Sequence, residues 1–95
     1  MPFVQYATAA PVPDDLSARL ARTVADALDL PPGAVVAQRL AALDGEGVTA
    51  VVRGRLRDPA LMRAAVGRAA ALLGADLGVD PDYVFVCWPD PGVVG

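Results

Sequence analysis

Ninety-five residues with a formal net charge of −3 make a single domain spanning residues 1–95, and the acidic balance argues against a nucleic-acid partner. The chain has no His and one Cys, and all eight of its basic residues are Arg; a Cys–His metal site is excluded, as is an internal disulfide, and the usual neutral-pH bases are missing. No apolar run approaches the roughly 20 residues of a membrane span, and Asp14 and Asp15 arrive too early for a secretory leader, so the expected location is cytoplasmic, in keeping with the lone Cys87.

In chain order, Phe3-Val4-Gln5-Tyr6-Ala7-Thr8 reads as a strand, broken by Pro11 and Pro13. Pro13-Asp14-Asp15 reads as a helix start, with acids at the positive end of the dipole. Leu16, Leu20, Val24 and Leu28 recur on one helical face, and Pro31-Pro32-Gly33 ends the helix. Ala34 to Leu43 reads as a second strand and Asp44-Gly45-Glu46-Gly47 as a turn. Val48 to about Leu56 is a third strand. Asp58-Pro59 opens a second helix, Asp as N-cap and Pro at the first helical position. Leu61, Met62, Ala65, Val66, Ala69, Leu72, Leu73 and Leu77 give it a long apolar face, and Gly78 caps its end. Asp80-Pro81-Asp82 turns the chain into a last strand, Tyr83 to Trp88, which Pro89-Asp90-Pro91-Gly92 terminates.

The order predicts an α+β, two-layer fold. Two β-α-β units, the second roughly repeating the first, form a four-stranded sheet with two helices on one face. The other face is then bare, and the Val, Phe and Ala content of the strands makes it apolar. With 55% of residues hydrophobic, association through that face is the natural remedy.

Two features carry chemistry. Pro2 follows Met1 directly, so removal of Met1 leaves a secondary amine. An α-amino group titrates at about 7.7–8.0 in model compounds, and apolar walls or a nearby cation lower that value toward ambient pH. The bland alternative is a small residue that merely permits Met1 removal. Arg53-Gly54-Arg55-Leu56-Arg57 is the densest run of charge. On a strand its three arginines share a face, where they make either a solvated, salt-bridged strand end or a carboxylate clamp suited to the planar guanidinium fork.

Met1-Pro2-Phe3-Val4, Leu28-Asp29-Leu30-Pro31-Pro32-Gly33-Ala34-Val35 and Leu77-Gly78-Val79-Asp80-Pro81-Asp82-Tyr83-Val84-Phe85-Val86, in this order and spacing, resemble the tautomerase superfamily. The similarity is to its longer-chain members, the group of macrophage migration inhibitory factor and malonate semialdehyde decarboxylase. The resemblance implies a homotrimer. It implies a catalytic Pro2 in an apolar pocket between subunits, moving protons in keto-enol or double-bond isomerisation of 2-oxo acids, and arginines that hold the small-molecule carboxylate. Arg55 and Arg57 fall on the paired arginines of the decarboxylase branch, and Arg39 is a further candidate from the second strand. Phe85 and Cys87 take positions that line the pocket in the cytokine branch, where they are Tyr and Asn. Ala34 stands where the decarboxylase branch has its water-activating acid, so simple proton transfer is favoured over hydration.

The expected function is a tautomerase or isomerase without cofactor or metal, with Pro2 as base and Arg39, Arg55, Arg57 and Phe85 binding substrate. Phe3 and Trp88 would keep the pocket dry, while Cys87, Tyr6 and Tyr83 pack. One alternative is a non-catalytic trimer of the same fold that binds a small carboxylate or a protein partner. Another is an unrelated ferredoxin-like binding domain, whose strand pairing would be fully antiparallel.

Overall fold

The computed structural model describes residues 1–40 and 44–89. Its elements are β1 (Phe3–Thr8), α1 (Leu16–Ala27), β2 (Val36–Arg39), β3 (Val48–Arg53), α2 (Pro59–Leu77), a 3-10 turn (Pro81–Tyr83) and β4 (Val84–Cys87). The sheet order is β2-β1-β3-β4. β1 pairs parallel with β2, β3 pairs parallel with β4, and β1 and β3 meet antiparallel in the middle. Each parallel pair brackets one helix, which is the two-unit α+β layout expected from the sequence. The two parallel pairs exclude the ferredoxin-like alternative.

Alternation along the strands decides which face is covered. Val4, Tyr6 and Thr8 of β1 and Val48, Ala50 and Val52 of β3 are buried beneath the helices. Leu16, Leu20 and Val24 of α1 meet them, as does Leu28 just beyond its end; from α2 the buried residues are Ala65, Ala69 and Leu73. Two alanines in that set let α2 lie close to the sheet. Two polar side chains of this layer are paired: the Tyr6 hydroxyl and Ser17 Oγ are 2.6 Å apart, and Thr8 Oγ1 donates to the Gly47 carbonyl at 2.9 Å. On the outer side Arg19 joins the helices by binding both Asp15 and Asp76, and Arg68 reaches Asp26 at 2.8 Å. The hydrogen bonds that Arg19 donates to Asp15 and then to Asp76 raise the pKa of its guanidinium.

Element ends follow local chemistry. The Asp58 carboxylate accepts from the Ala60 N–H at 2.9 Å with Pro59 in the first turn, and Gly78 adopts φ 64° as the C-cap of α2. α1 starts at Leu16, after the Pro13–Asp15 segment. It also stops before Pro31. Asp29 takes φ 58° and the Leu30 N–H reaches back to the Ala25 carbonyl at 2.8 Å, so a left-handed cap, not the prolines, ends the helix. β2 is shorter than the expected 34–43 span, whose residues 41–43 lie outside the described set, as does the expected turn from Asp90. β4 starts one residue late because Asp80 caps the 3-10 turn, accepting from the Asp82 N–H at 2.9 Å.

The opposite sheet face carries no helix. It presents Phe3, Gln5 and Ala7 of β1, Val36 and Gln38 of β2, Thr49, Val51 and Arg53 of β3, and Phe85 and Cys87 of β4. Phe3 is 43% exposed, Val36 39% and Phe85 64%. Arg53 Nε donates to Gln5 Oε1 and Gln5 Nε2 to Gln38 Oε1, both at 3.1 Å, making a polar line across this apolar surface. Among the described residues no helix is long and apolar enough to cross a membrane.

Candidate active site

Pro2 stands one residue before β1, and its position follows from pairing. Phe3 is opposite Arg53 in the antiparallel ladder, so Pro2 falls level with Gly54, just past the end of β3. Val51 is level with Cys87 in the parallel ladder, so Trp88 leaves β4 at the same end of the sheet. A methyl group built on Gly54 would lie 3.5 Å from Pro2 Cα, 3.6 Å from Pro2 Cβ and 3.5 Å from Trp88 Cζ2. Residues 2, 54 and 88 therefore converge around one point. Pro2 is buried there, while Met1 is 75% exposed. The Pro2 carbonyl accepts from the Val36 N–H at 3.2 Å, which ties this end of the chain to the start of β2.

The arginine run does not form one strand face. β3 ends at Arg53, whose side chain goes to Gln5 on the helix-free face. Gly54 breaks the strand, and the chain must then reach the Asp58 cap of α2, so Arg55 and Arg57 lie in the connecting turn. Arg55 is exposed. Arg57 is half-buried, and its Nε is shielded from solvent without an acceptor among the described residues; Trp88 Nε1 is in the same state.

The remaining expected site residues lie elsewhere in the chain. Arg39, exposed at the end of β2, is level with Tyr6, about 13 Å along the strand direction from Pro2 at roughly 3.3 Å per residue. Phe85 is level with Thr49, and through it with Ala7, farther still from Pro2 and on the helix-free face. One chain alone thus brings together Pro2, Gly54 and Trp88, with Arg55 and Arg57 in the adjoining turn, but neither Arg39 nor Phe85.

Sequence reasoning missed Gly54 as the floor of the site; its interruption of a β-rich run was the available signal. Sequence reasoning also missed the groove beside it, about 540 Å³, lined by Leu56, Pro59, Met62, Val66 and Trp88 among others. A second cleft, between α1 and α2, includes Arg19, Arg22, Asp26 and Arg68 but not Pro2. Two of its arginines are already engaged with aspartates.

No protein-family model matches the sequence, and no curated protein sequence does. Solved structures do match. Pt0534, crystallised after inactivation by 2-oxo-3-pentynoate, superposes with a TM-score of 0.80 at 14% identity, covering 93% of this chain and 84% of that one. Macrophage migration inhibitory factor from Oncomelania hupensis gives 0.78 at 15% identity, covering 95% and 73%. A fused 4-OT trimer gives 0.75 at 15% identity, covering 93% and 85%. The chain has the tautomerase-superfamily fold. On that fold, Pro2 immediately precedes β1, one of the two inner strands, level with the β3–α2 turn.

Proposed function

We propose that the protein is a cofactor-independent tautomerase or isomerase acting on 2-oxo acids or their enols, with Pro2 as general base. The observation that supports this reading best is the seating of Pro2: buried at the end of β1, against Gly54 and Trp88, with Met1 leading outward. Removing Met1 turns the Pro2 nitrogen from an amide into a secondary amine and opens the space that Met1 held. Apolar surroundings disfavour the ammonium form, which keeps the amine available as a base.

The chemistry is a proton relay. The amine takes the enol hydroxyl proton, or a proton from carbon next to the carbonyl, and the resulting ammonium returns it at the other end of the conjugated system. Arg57 and Arg55 bind the carboxylate through the turn that holds them beside the site, and their positive charge favours the enolate that forms between the two transfers. Arg39 and Phe85 reach a Pro2 site only from a neighbouring copy. Together with the exposed Phe3, Val36 and Phe85, this favours a homotrimer associated through the helix-free face. Cys87, free within the chain, suits a reducing, cytoplasmic setting.

The test is ultraviolet-monitored ketonisation of phenylenolpyruvate, using protein whose intact mass shows Met1 gone. Pro2→Ala is expected to lose roughly 100-fold or more of the turnover, the usual scale of a positioned base. Arg55→Ala and Arg57→Ala should lower kcat/KM. No turnover above the uncatalysed rate in protein lacking Met1 would overturn the catalytic reading in favour of a non-catalytic trimer that binds a small carboxylate or a protein partner.

A further inference from the structure

Among the described residues, two shielded donors at this end of the sheet have no acceptor, and they are not equivalent. Arg57 has other N–H groups to offer a ligand, and its guanidinium already has a role as a carboxylate binder. Trp88 has one N–H, and a buried indole N–H ordinarily finds a partner. Trp88 Nε1 finds none among the described residues.

The orientation of the ring gives that orphan a direction. Cζ2 is two bonds from Nε1 on the same edge of the indole. It is Cζ2 that comes within 3.5 Å of the point where a Gly54 side chain would start, and Pro2 Cα is also 3.5 Å from that point. Gly54 leaves the point unfilled. The part of the indole next to its N–H therefore packs at the Gly54 backbone, beside Pro2.

We propose that Trp88 Nε1–H is a substrate-binding donor that hydrogen-bonds the 2-oxo or enol oxygen of the acid whose proton Pro2 moves. The inference rests on the Pro2 reading above and adds to it a residue and a selectivity. An indole donates and does not accept. It receives a carbonyl or enolate oxygen and gives nothing to the ammonium group that a 2-amino acid carries at the same carbon. It neither gains nor loses the proton in transit. When Pro2 removes the enol proton, negative charge builds on the oxygen that Trp88 faces, so the hydrogen bond strengthens in the direction of reaction.

Trp88 is the one tryptophan in the chain, so its indole N–H gives one identifiable side-chain peak in a 1H–15N spectrum. The experiment uses the full chain, with Met1 shown by mass to be removed. The probe is phenylglyoxylate, a 2-oxo acid with no proton to enolise; phenylacetate, which lacks the 2-oxo oxygen, is the control. The expected result is a downfield shift of the indole peak that saturates with phenylglyoxylate and is absent with phenylacetate. In parallel, Trp88→Phe, which keeps a ring and removes the donor, should lower kcat/KM for phenylenolpyruvate by about 10- to 100-fold, the scale of a hydrogen bond to a charged group.

An indole peak that stays put while backbone amides near Phe3 or Gly54 respond would overturn the proposal and leave Trp88 as a wall. A spectrum in which nothing responds overturns it as well. Should Trp88→Phe fail to fold, the spectra of the unaltered chain still decide. Phenylglyoxylate moving the indole peak in a protein without turnover sinks the catalytic reading and keeps the donor; turnover with a silent indole does the reverse.

Discussion

Replacing Gly47 by alanine tests how the two halves of the sheet are held at their far end. Gly47 enters β3 with φ 112°, a backbone conformation that L side chains rarely adopt. A Cβ there would sit 2.6 Å from the Tyr83 carbonyl oxygen and 3.3 Å from Tyr83 Cβ. The nearest obstacle is backbone, so no side-chain rotation relieves it. The Gly47 carbonyl is also the acceptor for the buried Thr8 hydroxyl, and the chain cannot swing away without losing that bond. The left-handed conformation costs about 1–2 kcal/mol and the overpacking about 1–3 kcal/mol. A total near 3 kcal/mol corresponds to a fall in Tm of roughly 12–24 °C for a chain of this size. Gly54→Ala is the matched control. Its new methyl group meets neighbours at 3.5 Å or more, an ordinary contact, and its Tm should stay within roughly 5 °C of the parent. Thermal melts followed by circular dichroism, at one fixed protein concentration because an oligomer's Tm depends on it, give both numbers. Gly47→Ala melting as high as Gly54→Ala would show that φ and the Tyr83 carbonyl impose no such cost at position 47.

Two further outcomes follow from packing. Leu20→Ala removes a side chain with no solvent exposure from the α1–sheet interface and should cost about 2–5 kcal/mol, seen as a lower urea midpoint with an unchanged slope. Phe85→Glu puts a charge on the most exposed aromatic of the helix-free face. If that face joins three copies, sedimentation velocity should show the species falling from about three times the 9.7 kDa chain mass toward the single chain, whereas an unchanged sedimentation coefficient would count against association there.

Local signals were readable in proportion to how local their causes are. Leu16, Leu20 and Val24 repeat at a helix interval and are all buried; Asp58-Pro59 and Gly78 start and stop α2 through bonds within a few residues of themselves. The overshoot of β3 has the same logic in reverse. Val48 to Leu56 looks like one strand because the β-rich run Val48 to Val52 leads straight into the alternation of Arg53, Gly54, Arg55 and Leu56. Yet Gly54 offers no side chain to the sheet, and Asp58 must be presented in a capping geometry, so the ladder stops at Arg53. The proline pair at 31–32 misled for a similar reason: the left-handed turn at Asp29 had already closed α1 with its own backbone bonds.

The sequence by itself determined the two β-α-β units and the helix-free apolar face, because hydrophobic period, caps and turn residues are properties of neighbours along the chain. It also singled out Pro2 and the arginine run by composition, in a chain without histidine or lysine. The membership of the candidate site was decided by tertiary structure. The β1–β3 register sets Pro2 level with Gly54, the β3–β4 register brings Trp88 to the same end, and the same registers carry Arg39 and Phe85 away. A shift of one residue in either ladder would turn every side chain of a strand to the opposite face. Register is settled by burying Val4, Tyr6, Val48, Ala50 and Val52 together under two helices, a condition that no single stretch of the chain contains.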